Sequence, residues 1–353
     1  MNKKKFGNFV LLSLSIALCL LICELLIRAL DLDAETVYVE KWRVRLSDNP
    51  IIGYEPIPNL QDETLSMQHY GYRGASNNMG YRDYDHPLQK PTGSKRALVI
   101  GDSVTAGLWI NEDENVFSAV MEKHLNARGI KSDVMNFGVS GYNTRQEVET
   151  LRVRGLQYKP DLVVVAYCLN DRSQDDGNIL GLLLAEERNA AENNVLNAGR
   201  VNPIVKNSAL LRLLTYKVMP SFAAENTAAS DTATQKINGF YSDTVEDSFA
   251  KLAQLSSIHN FEVLLTVFPD FAKNDGGLTG RYALAKQHEA LAAIAKQHQF
   301  HHLDLLDAMR TCKSNAPKGY NISYDRYHPN PLGSRCAGEA IAEKVAEVWT
   351  QSQ

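Results

Sequence analysis

The sequence predicts an α/β fold with helices on both faces of an open parallel sheet, on two observations. Short runs of apolar, often β-branched residues alternate with longer segments whose apolar residues recur at helical spacing, the pattern of strand–helix–strand units. The composition is that of a globular protein, because 44% of the 353 residues are hydrophobic and 22% are charged. That balance excludes a wholly disordered or collagen-like chain and allows a substantial core.

Five predicted strands form the sheet. The strongest, 162–167, is an unbroken apolar run typical of a central parallel strand. The other predicted strands lie at 97–100, 134–137, 263–268 and 302–305. Helical spacing predicts helices over 115–128, 144–157, 240–258, 281–299 and 331–350. Each predicted strand is therefore followed by a predicted helix, as parallel strands require.

Three parts of different character divide the chain. Residues 1–30 hold a predicted membrane anchor, and 31–95 form an extension of short strands and loops that packs on the core. Residues 96–353 form the main domain, in which a stretch at about 172–238, with frequent Ala, Asn and Ser, interrupts the alternation of strands and helices. We expect a helical insertion in that stretch.

The first thirty residues predict the location of the protein. Three lysines at positions 3–5 precede an uncharged stretch from Phe6 to Cys23, about long enough to cross a bilayer when Glu24 and Arg28 lie near the far interface. Basic residues before the span predict an N-terminus in the cytoplasm. We expect a single-pass anchor in the cytoplasmic membrane with a periplasmic or extracellular domain. A cleaved signal peptide is the alternative, although no good small-x-small cleavage site follows.

Charge and cysteine usage argue against other classes. The formal net charge is −4, whereas nucleic-acid-binding proteins usually show a basic excess, so we expect no nucleic-acid partner. The five cysteines include no C-x-x-C pair, which leaves a zinc ribbon or a thioredoxin-type site unsupported. Cys312 and Cys336 flank segment 325–328, and a disulfide and two buried thiols are equally open for them.

Three residues from opposite ends of the main domain have the chemistry of a nucleophilic site. The active site of a parallel sheet lies beyond the carboxyl ends of its strands. A serine hydroxyl is a weak nucleophile until a base takes its proton. His328 can be that base for Ser103, because imidazole titrates near neutral pH. Asp325, three residues before the histidine, can hold the imidazole tautomer.

Attack on an ester carbonyl creates an oxyanion that needs hydrogen-bond donors. The backbone N–H groups of Ser103 and Gly141 and the side-chain amide of Asn170 are the candidates. Each such donor typically lowers the barrier by about 3 kcal/mol. A side chain at position 141 would keep the backbone away from the substrate, so glycine suits that position.

Four short blocks that contain these residues resemble those of the SGNH (GDSL-type) hydrolase family. The matching residues, in chain order, are Gly101-Asp102-Ser103, then Gly141, then Asn170, and last Asp325 with His328 in the spacing D-x-x-H-P. The resemblance covers roughly residues 96–349, with 172–238 as an insertion atypical of the family. Segment 77–82 is similar to one that often precedes the first block in membrane-anchored bacterial members. For this chain, a pocket-lining segment and a structural turn are equally open.

The resemblance implies a flavodoxin-like three-layer α/β/α sandwich with Ser103 as the nucleophile. It also implies esterase, lipase or carbohydrate O-deacetylase activity without a metal or a cofactor, and some relatives are acyltransferases. One position departs from the family pattern, because Cys168 stands where the third block usually has glycine. The bulkier residue could narrow the site or shift the loop that presents Asn170.

We therefore expect a serine esterase that removes O-acetyl groups from a cell-surface polysaccharide through an acyl-serine intermediate. Three aromatic residues near the predicted site, Trp109, Tyr142 and Tyr327, suit sugar rings, although core packing explains them equally well. The alternatives are O-acetyl transfer to a surface glycan, hydrolysis of a lipid or lysophospholipid ester, and a non-catalytic glycan-binding assembly protein.

Overall fold

The structure, a computed structural model, describes residues 3–30, 43–60, 75–171, 179–180, 183, 208–214 and 245–351. All five predicted strands lie within these ranges. The predicted extension at 31–95 is described in part, and most of the predicted insertion at 172–238 lies outside the described residues.

The first described element is a 27-residue helix, α1 (Lys3–Ala29). Its segment Leu11–Ala29 has the length and apolar composition of a membrane span, and little of it is buried in the protein. Arg28 Nη2 lies 2.6 Å from Glu24 Oε1, because residues four apart share one face of a helix. Such a helix is compatible with a membrane anchor or with a signal sequence.

The extension contributes an antiparallel hairpin, β1 (Val44–Leu46) and β2 (Tyr54–Pro56). Ile52 and Tyr54 are buried in the same hydrophobic cluster as one face of the main sheet. Tyr54 Oη donates to the carbonyl of Ser140 at 2.8 Å, and Gln146 Nε2 donates to that of Ile52 at 2.8 Å. The hairpin is thus bonded directly to residues near the predicted Gly141 segment.

The main sheet has five parallel strands. They are β3 (Lys95–Gly101), β4 (Ser132–Gly138), β5 (Leu162–Tyr167), β6 (Glu262–Val267) and β7 (His301–Asp304). Their spatial order is β4-β3-β5-β6-β7, the flavodoxin-like order, which switches direction between β3 and β5. Gly101 pairs with Gly138 on one side and Ala166 on the other, so the carboxyl ends of three strands lie level at the switch point.

Helices lie between and after the strands. They are α2 (Ser103–Ala106), α3 (Phe117–Ala127), α4 (Thr144–Thr150), α5 (Ala209–Arg212), α6 (Val245–His259), α7 (Ala285–Gln297), α8 (Leu306–Asn315) and α9 (Pro331–Gln351). Short 3₁₀ turns lie at Asp113–Asn115 and Lys273–Leu278, and α4 continues into a π-turn and a 3₁₀ turn that end at Tyr158.

Helices cover both faces of the sheet. On one face, strand residues such as Ile100 and Val165 pack with α4, α6, α7 and the hairpin. On the other face, Val99 and Val164 pack with α3, α8 and α9. Successive side chains of a strand point to opposite faces, so burial of both faces explains why these strands read as apolar runs. The predicted three-layer α/β/α sandwich is confirmed.

The differences from the predicted elements are local. Helix α8 begins only one residue, Leu305, after β7, and is not among the predicted helices. Met309 and Cys312 of this helix are buried, and Leu306 and Ala308 pack against the same core cluster, so its short apolar face fits the helical spacing of the sequence. The helix predicted over 144–157 changes its pitch after Thr150.

Candidate active site

The turn after β3 presents Ser103 at the carboxyl edge of the sheet. Asp102 caps α2, since its Oδ1 accepts the backbone N–H of Val104 at 2.9 Å. Gly101 permits the tight turn, because a Cβ there would lie 2.1 Å from Thr105 Oγ1. Ser103 thereby becomes the first residue of a buried one-turn helix.

Ser103, His328 and Asp325 form one hydrogen-bonded line, although 225 residues separate the serine from the histidine. Ser103 Oγ lies 2.8 Å from His328 Nε2, and His328 Nδ1 lies 2.8 Å from Asp325 Oδ2. Asp325 Oδ1 also accepts the backbone N–H of His328 at 2.7 Å. A carboxylate can only accept, so the neutral ring carries its hydrogen on Nδ1 and leaves Nε2 free for the serine proton.

Gly141 and Asn170 follow β4 and β5, the two strands that flank β3. Gly141 has a φ of 76°, in the left-handed region that glycine adopts without steric cost. Asn170 Nδ2 donates to Asp102 Oδ2 at 3.2 Å. Because an amide nitrogen carries two hydrogens, one donor of Asn170 remains beside this bond. The structure thus brings the predicted segments to one edge of the sheet.

The sequence matches one known protein family. The family model described as the GDSL-like lipase/acylhydrolase family matches residues 99–336, more than half of the chain. The chain belongs to this family. It is therefore an ester hydrolase, and the resemblance read from the four blocks is confirmed.

Several solved structures are similar to this GDSL-like hydrolase at low identity. The acetyl xylan esterase AlAXEase is 15% identical, with a TM-score of 0.42 and coverage of 71% of this chain and 99% of that one. TesA is 18% identical, with a TM-score of 0.41 and coverages of 71% and 98%. A variant of Axe2, an acetyl-xylooligosaccharide esterase from Geobacillus stearothermophilus, is 17% identical, with a TM-score of 0.42 and coverages of 72% and 95%. No curated protein matches the sequence.

Two carboxyl groups near the serine of this hydrolase differ in their electrostatics. Burial raises the pKa of Asp102 above its usual value, although the bond from Val104 and the charge of His328 oppose the change. Burial acts in the same direction on Asp325, but the hydrogen bonds from His328 outweigh it and hold the pKa of Asp325 below its usual value. Asp325 is therefore the carboxylate that stays ionised beside the imidazole.

A buried carboxylate braces the loop that carries His328. Asp275 accepts the backbone N–H of Ile322 and the hydroxyl of Ser323, both at 2.6 Å. It also pairs with Lys313 Nζ at 3.0 Å. Hydrogen bonds to one buried side chain therefore help to set the shape of this loop.

A disulfide braces the same loop from outside. Cys312 in α8 and Cys336 in α9, 24 residues apart, are joined. Of the two possibilities that the sequence leaves open, the structure has the disulfide. The bond ties together the two helices between which the loop with Asp325 and His328 runs.

Cys168, which stands where the family usually has glycine, is part of a closed turn. Its backbone N–H donates to Asp171 Oδ2 at 2.9 Å, and the Asp171 N–H donates to the Cys168 carbonyl at 3.0 Å. Burial, then the charges of Asp102 and Asp171, raise the pKa of the Cys168 thiol, so the thiol is unreactive. The turn still presents Asn170 to Asp102.

The three aromatic residues predicted near the site have different surroundings. The ring of Trp109 lies 4.8 Å from that of His328, centroid to centroid. Tyr142 is 1% exposed and packs edge-on against Tyr54 at 5.2 Å, so core packing accounts for it. Tyr327 is partly buried beneath the guanidinium of Arg326, 5.4 Å from its ring.

Glu147 is a residue near the site that sequence reasoning missed. It is 1% exposed, and neither carboxyl oxygen has a hydrogen-bond partner among the described residues. Burial, then the charge of Asp102, raise the pKa of Glu147 well above its usual value. The polar residues of Thr144–Thr150 predict a solvent-exposed surface. The segment is buried because α6 and the hairpin pack on it.

Other titratable groups lie outside the hydrogen-bonded line. His288 Nδ1 lies 2.9 Å from Asp304 Oδ2, and its Nε2 lies 3.1 Å from Tyr282 Oη. Within the described ranges, no group of three or more His, Cys, Asp or Glu side chains is placed to hold a metal ion.

Proposed function

We propose that this ester hydrolase is a serine esterase with Ser103 as nucleophile, His328 as base and Asp325 as the residue that holds the imidazole. The observation that carries the proposal is the continuous line from Ser103 Oγ through the ring to Asp325, with both contacts at 2.8 Å. A hydroxyl in that line loses its proton to Nε2 as it attacks, which makes a weak nucleophile reactive.

Acylation begins when Ser103 Oγ attacks the ester carbonyl carbon and His328 Nε2 takes the hydroxyl proton. The carbonyl oxygen becomes an oxyanion, stabilised by the backbone N–H groups of Ser103 and Gly141 and by the amide of Asn170. The tetrahedral intermediate then collapses, the bond to the alcohol oxygen breaks, and the imidazolium protonates the leaving alcohol. The products are an acyl-serine and a free alcohol.

Deacylation repeats these steps with water as the nucleophile. Water gives a proton to His328 Nε2 as it attacks the acyl carbon. Collapse releases the carboxylic acid, and the imidazolium returns the proton to Ser103 Oγ. The ionised carboxylate of Asp325, whose pKa lies below its usual value, stabilises the imidazolium in both halves of the reaction.

O-acetyl groups on a cell-surface polysaccharide are the substrate that we propose. Helix α1 anchors the hydrolase in the cytoplasmic membrane with its domain periplasmic or extracellular, an oxidising setting in which the disulfide persists. Trp109 and Tyr324 lie beside His328, and Tyr324 is 45% exposed. Aromatic surfaces of this kind present a flat, amphipathic face to a ligand, which suits a sugar ring.

The mechanism is tested with the full chain in detergent and p-nitrophenyl acetate. Ser103→Ala should reduce kcat/KM by at least about 10³-fold, because the nucleophile is lost. Ser140→Ala is the matched control, since Ser140 is another buried serine at a strand end and should retain activity. Equal turnover by Ser103→Ala and the unmodified chain would show that the proposed mechanism is wrong.

The substrate is tested separately. Acetate release from O-acetylated polysaccharide should depend on Ser103, and p-nitrophenyl acetate should be a better substrate than the octanoate ester. A preference for the long acyl chain would contradict the acetyl-glycan proposal and indicate a lipid ester. New acetyl groups on a deacetylated glycan, formed only with an acetyl donor, would indicate transfer instead of hydrolysis.

A further inference from the structure

The segment after α2 has an unusual backbone. Gly107 has a φ of 71° and Trp109 a φ of 65°. Glycine adopts this region freely, but a bulky residue such as tryptophan is strained there and stays only where its surroundings hold it. The segment 107–113, called here the Trp109 loop, must therefore be fixed by contacts from other parts of the molecule.

Arg82 of the N-terminal extension supplies such contacts at three points of the Trp109 loop. Its Nη1 donates to the carbonyl of Gly107 at 2.7 Å, and its Nη2 donates to that of Asn111 at 3.3 Å. Its Nε donates to Asp113 Oδ1 at 2.8 Å. The side chain of Arg82 is only 4% exposed. The planar guanidinium suits this task, because its five donors point in fixed directions, unlike those of a lysine.

Arg82 itself comes from a tight turn. Asn77 Oδ1 accepts the backbone N–H groups of Met79 and Tyr81 at 3.0 and 2.9 Å. Gly80 has a φ of 97°, and a Cβ there would lie 2.7 Å from the carbonyl oxygen of Pro56 in the hairpin. The segment 77–82, whose role the sequence leaves open, therefore forms a turn that delivers Arg82 to the Trp109 loop.

The Trp109 loop also contacts the candidate base. The rings of Trp109 and His328 meet at 4.8 Å with an interplanar angle of 65°. Tyr324 packs edge-on against Trp109 at 6.0 Å and 84°. Edge-to-face aromatic contacts favour particular ring orientations, and this one covers part of the imidazole that must face Ser103 Oγ.

We infer that Arg82 is a positioning residue of this active site, and that Trp109 is the contact through which it holds the imidazole of His328 toward Ser103. The inference rests on the proposed function, in which His328 is the base. It assigns the N-terminal extension a part in the reaction, although none of its described residues touches Ser103 or His328 in the contacts above.

A double-mutant cycle on the full chain in detergent tests the inference with p-nitrophenyl acetate. Trp109→Ala and Arg82→Lys should each lower kcat by about five- to tenfold, with little change in KM for this small ester. Because both changes act on one contact, the double variant should fall no further than the worse single variant. The same cycle on thermal stability gives the structural cost of each change.

Arg43→Lys is the matched control. Arg43 is another buried arginine of the extension, 6% exposed, and its Nη2 donates to the carbonyl of Ala75 at 3.2 Å. The Arg43→Lys variant should have a lower melting temperature, as Arg82→Lys should, but an unchanged kcat. If Arg82→Lys does not fold, Asp113→Asn weakens the same clamp from its exposed end, and kcat should fall about two- to threefold.

Three outcomes would overturn the inference. In the first, the fold-loss of kcat in the double variant equals the product of the two single losses. In the second, Arg43→Lys loses as much kcat as Arg82→Lys does. In the third, Trp109→Ala leaves kcat unchanged. The Ser103→Ala variant separates this failure from that of the proposed function. If Ser103→Ala abolishes turnover while the kcat loss of the double variant equals the product of the single losses, only the inference about Arg82 is wrong.

Discussion

The two sides of the candidate triad are held by different physical means. On the serine side, Ser103 lies in a turn directly after a central strand, and Asp102 caps the helix that follows. On the histidine side, Asp325 and His328 lie in a loop whose sheet pairing, among the described residues, is one isolated bridge between residues 323 and 329. That loop is held by Asp275, by the disulfide between α8 and α9, and by backbone bonds such as that from the Phe271 N–H to the Arg326 carbonyl at 2.9 Å.

This difference indicates where the site is fragile. The serine side inherits its geometry from a five-stranded sheet, so a single change among its supporting contacts should cost little. The histidine side is held by buried side-chain contacts and a disulfide instead of strands, so the loss of one of these should affect both stability and activity. Substitutions on the two sides test this difference.

Replacement of Asp275 should have the largest effect. Asp275→Ala leaves the Ile322 N–H and the Ser323 hydroxyl without their buried acceptor, and removes the partner of Lys313. We expect the free energy of unfolding to fall by about 3–5 kcal/mol and kcat for p-nitrophenyl acetate to fall by more than about tenfold. Thermal unfolding and steady-state kinetics of the full chain in detergent measure both quantities.

Asp307→Ala is the control for this change. Asp307 is an exposed aspartate of α8 whose ion pair with Arg310 spans 3.5 Å, so its loss should change the stability by less than about 0.5 kcal/mol. Similar losses of unfolding free energy in the Asp275 and Asp307 variants would show that the buried carboxylate has no special role.

Loss of the disulfide should have the next largest effect. Serine at both Cys312 and Cys336 opens a segment of 24 residues, for which the chain-entropy estimate is about 3 kcal/mol of unfolding free energy. A reductant should lower the melting temperature of the unmodified protein and leave that of the double variant unchanged. If the reductant affects both proteins equally, the bond does not brace this loop.

A pH-dependent anchor lies at the amino end of β4, the edge of the sheet opposite Ser103. His86 is buried, with Nδ1 2.6 Å from Asp133 Oδ1 and Nε2 3.0 Å from Asp83 Oδ2. Burial lowers the pKa of His86, but the bonds to the two carboxylates outweigh it and raise the pKa from 6.5 to about 9. The contribution of His86 to the free energy of unfolding is at most about 3 kcal/mol. It is complete below pH 6.5 and disappears as the pH rises through about 9.

His86→Gln tests whether this contribution to stability falls as the pH rises. The stability of the unmodified protein should fall relative to that of the variant between pH 6.5 and 9, because in that range the folded state binds the extra proton. Melting temperatures of both proteins over pH 5–10 measure the difference. A difference that stays constant with pH, or grows in favour of the unmodified protein, would contradict the prediction.

The strands and the triad residues can be predicted from the sequence because their signals are local. A run such as 162–167 has no polar position, since the strand is buried on both faces. Ser103, Asp325 and His328 are predictable from residue chemistry, the D-x-x-H spacing and the family blocks. Their side chains lie within hydrogen-bonding distance, and their catalytic roles stay a prediction.

The supporting contacts are not predictable in the same way, because each depends on distant parts of the chain. Arg82 reads as a surface charge until its three bonds to the Trp109 loop are seen. The positive φ of Trp109 has no signal in residue type, which would favour glycine or asparagine there. Glu147 lies in a polar stretch whose residue types predict exposure, yet it is 1% exposed.

The smallest expected effect comes from the hairpin on the serine side. Tyr54→Phe removes the hydroxyl that donates to the Ser140 carbonyl at 2.8 Å, next to Gly141. The carbonyl loses one partner, so we expect about 1 kcal/mol less unfolding free energy and at most about a fivefold loss of kcat, which is what that energy allows.

Tyr320→Phe, at a tyrosine that is 48% exposed, is the control and should change neither quantity. The informative result is the loss of kcat in Tyr54→Phe relative to that in Asp275→Ala. If Tyr54→Phe lowers kcat as much as Asp275→Ala does, the sheet does not by itself hold the Gly141 segment. The hairpin would then be as necessary to the oxyanion donors as Asp275 is to the loop of His328.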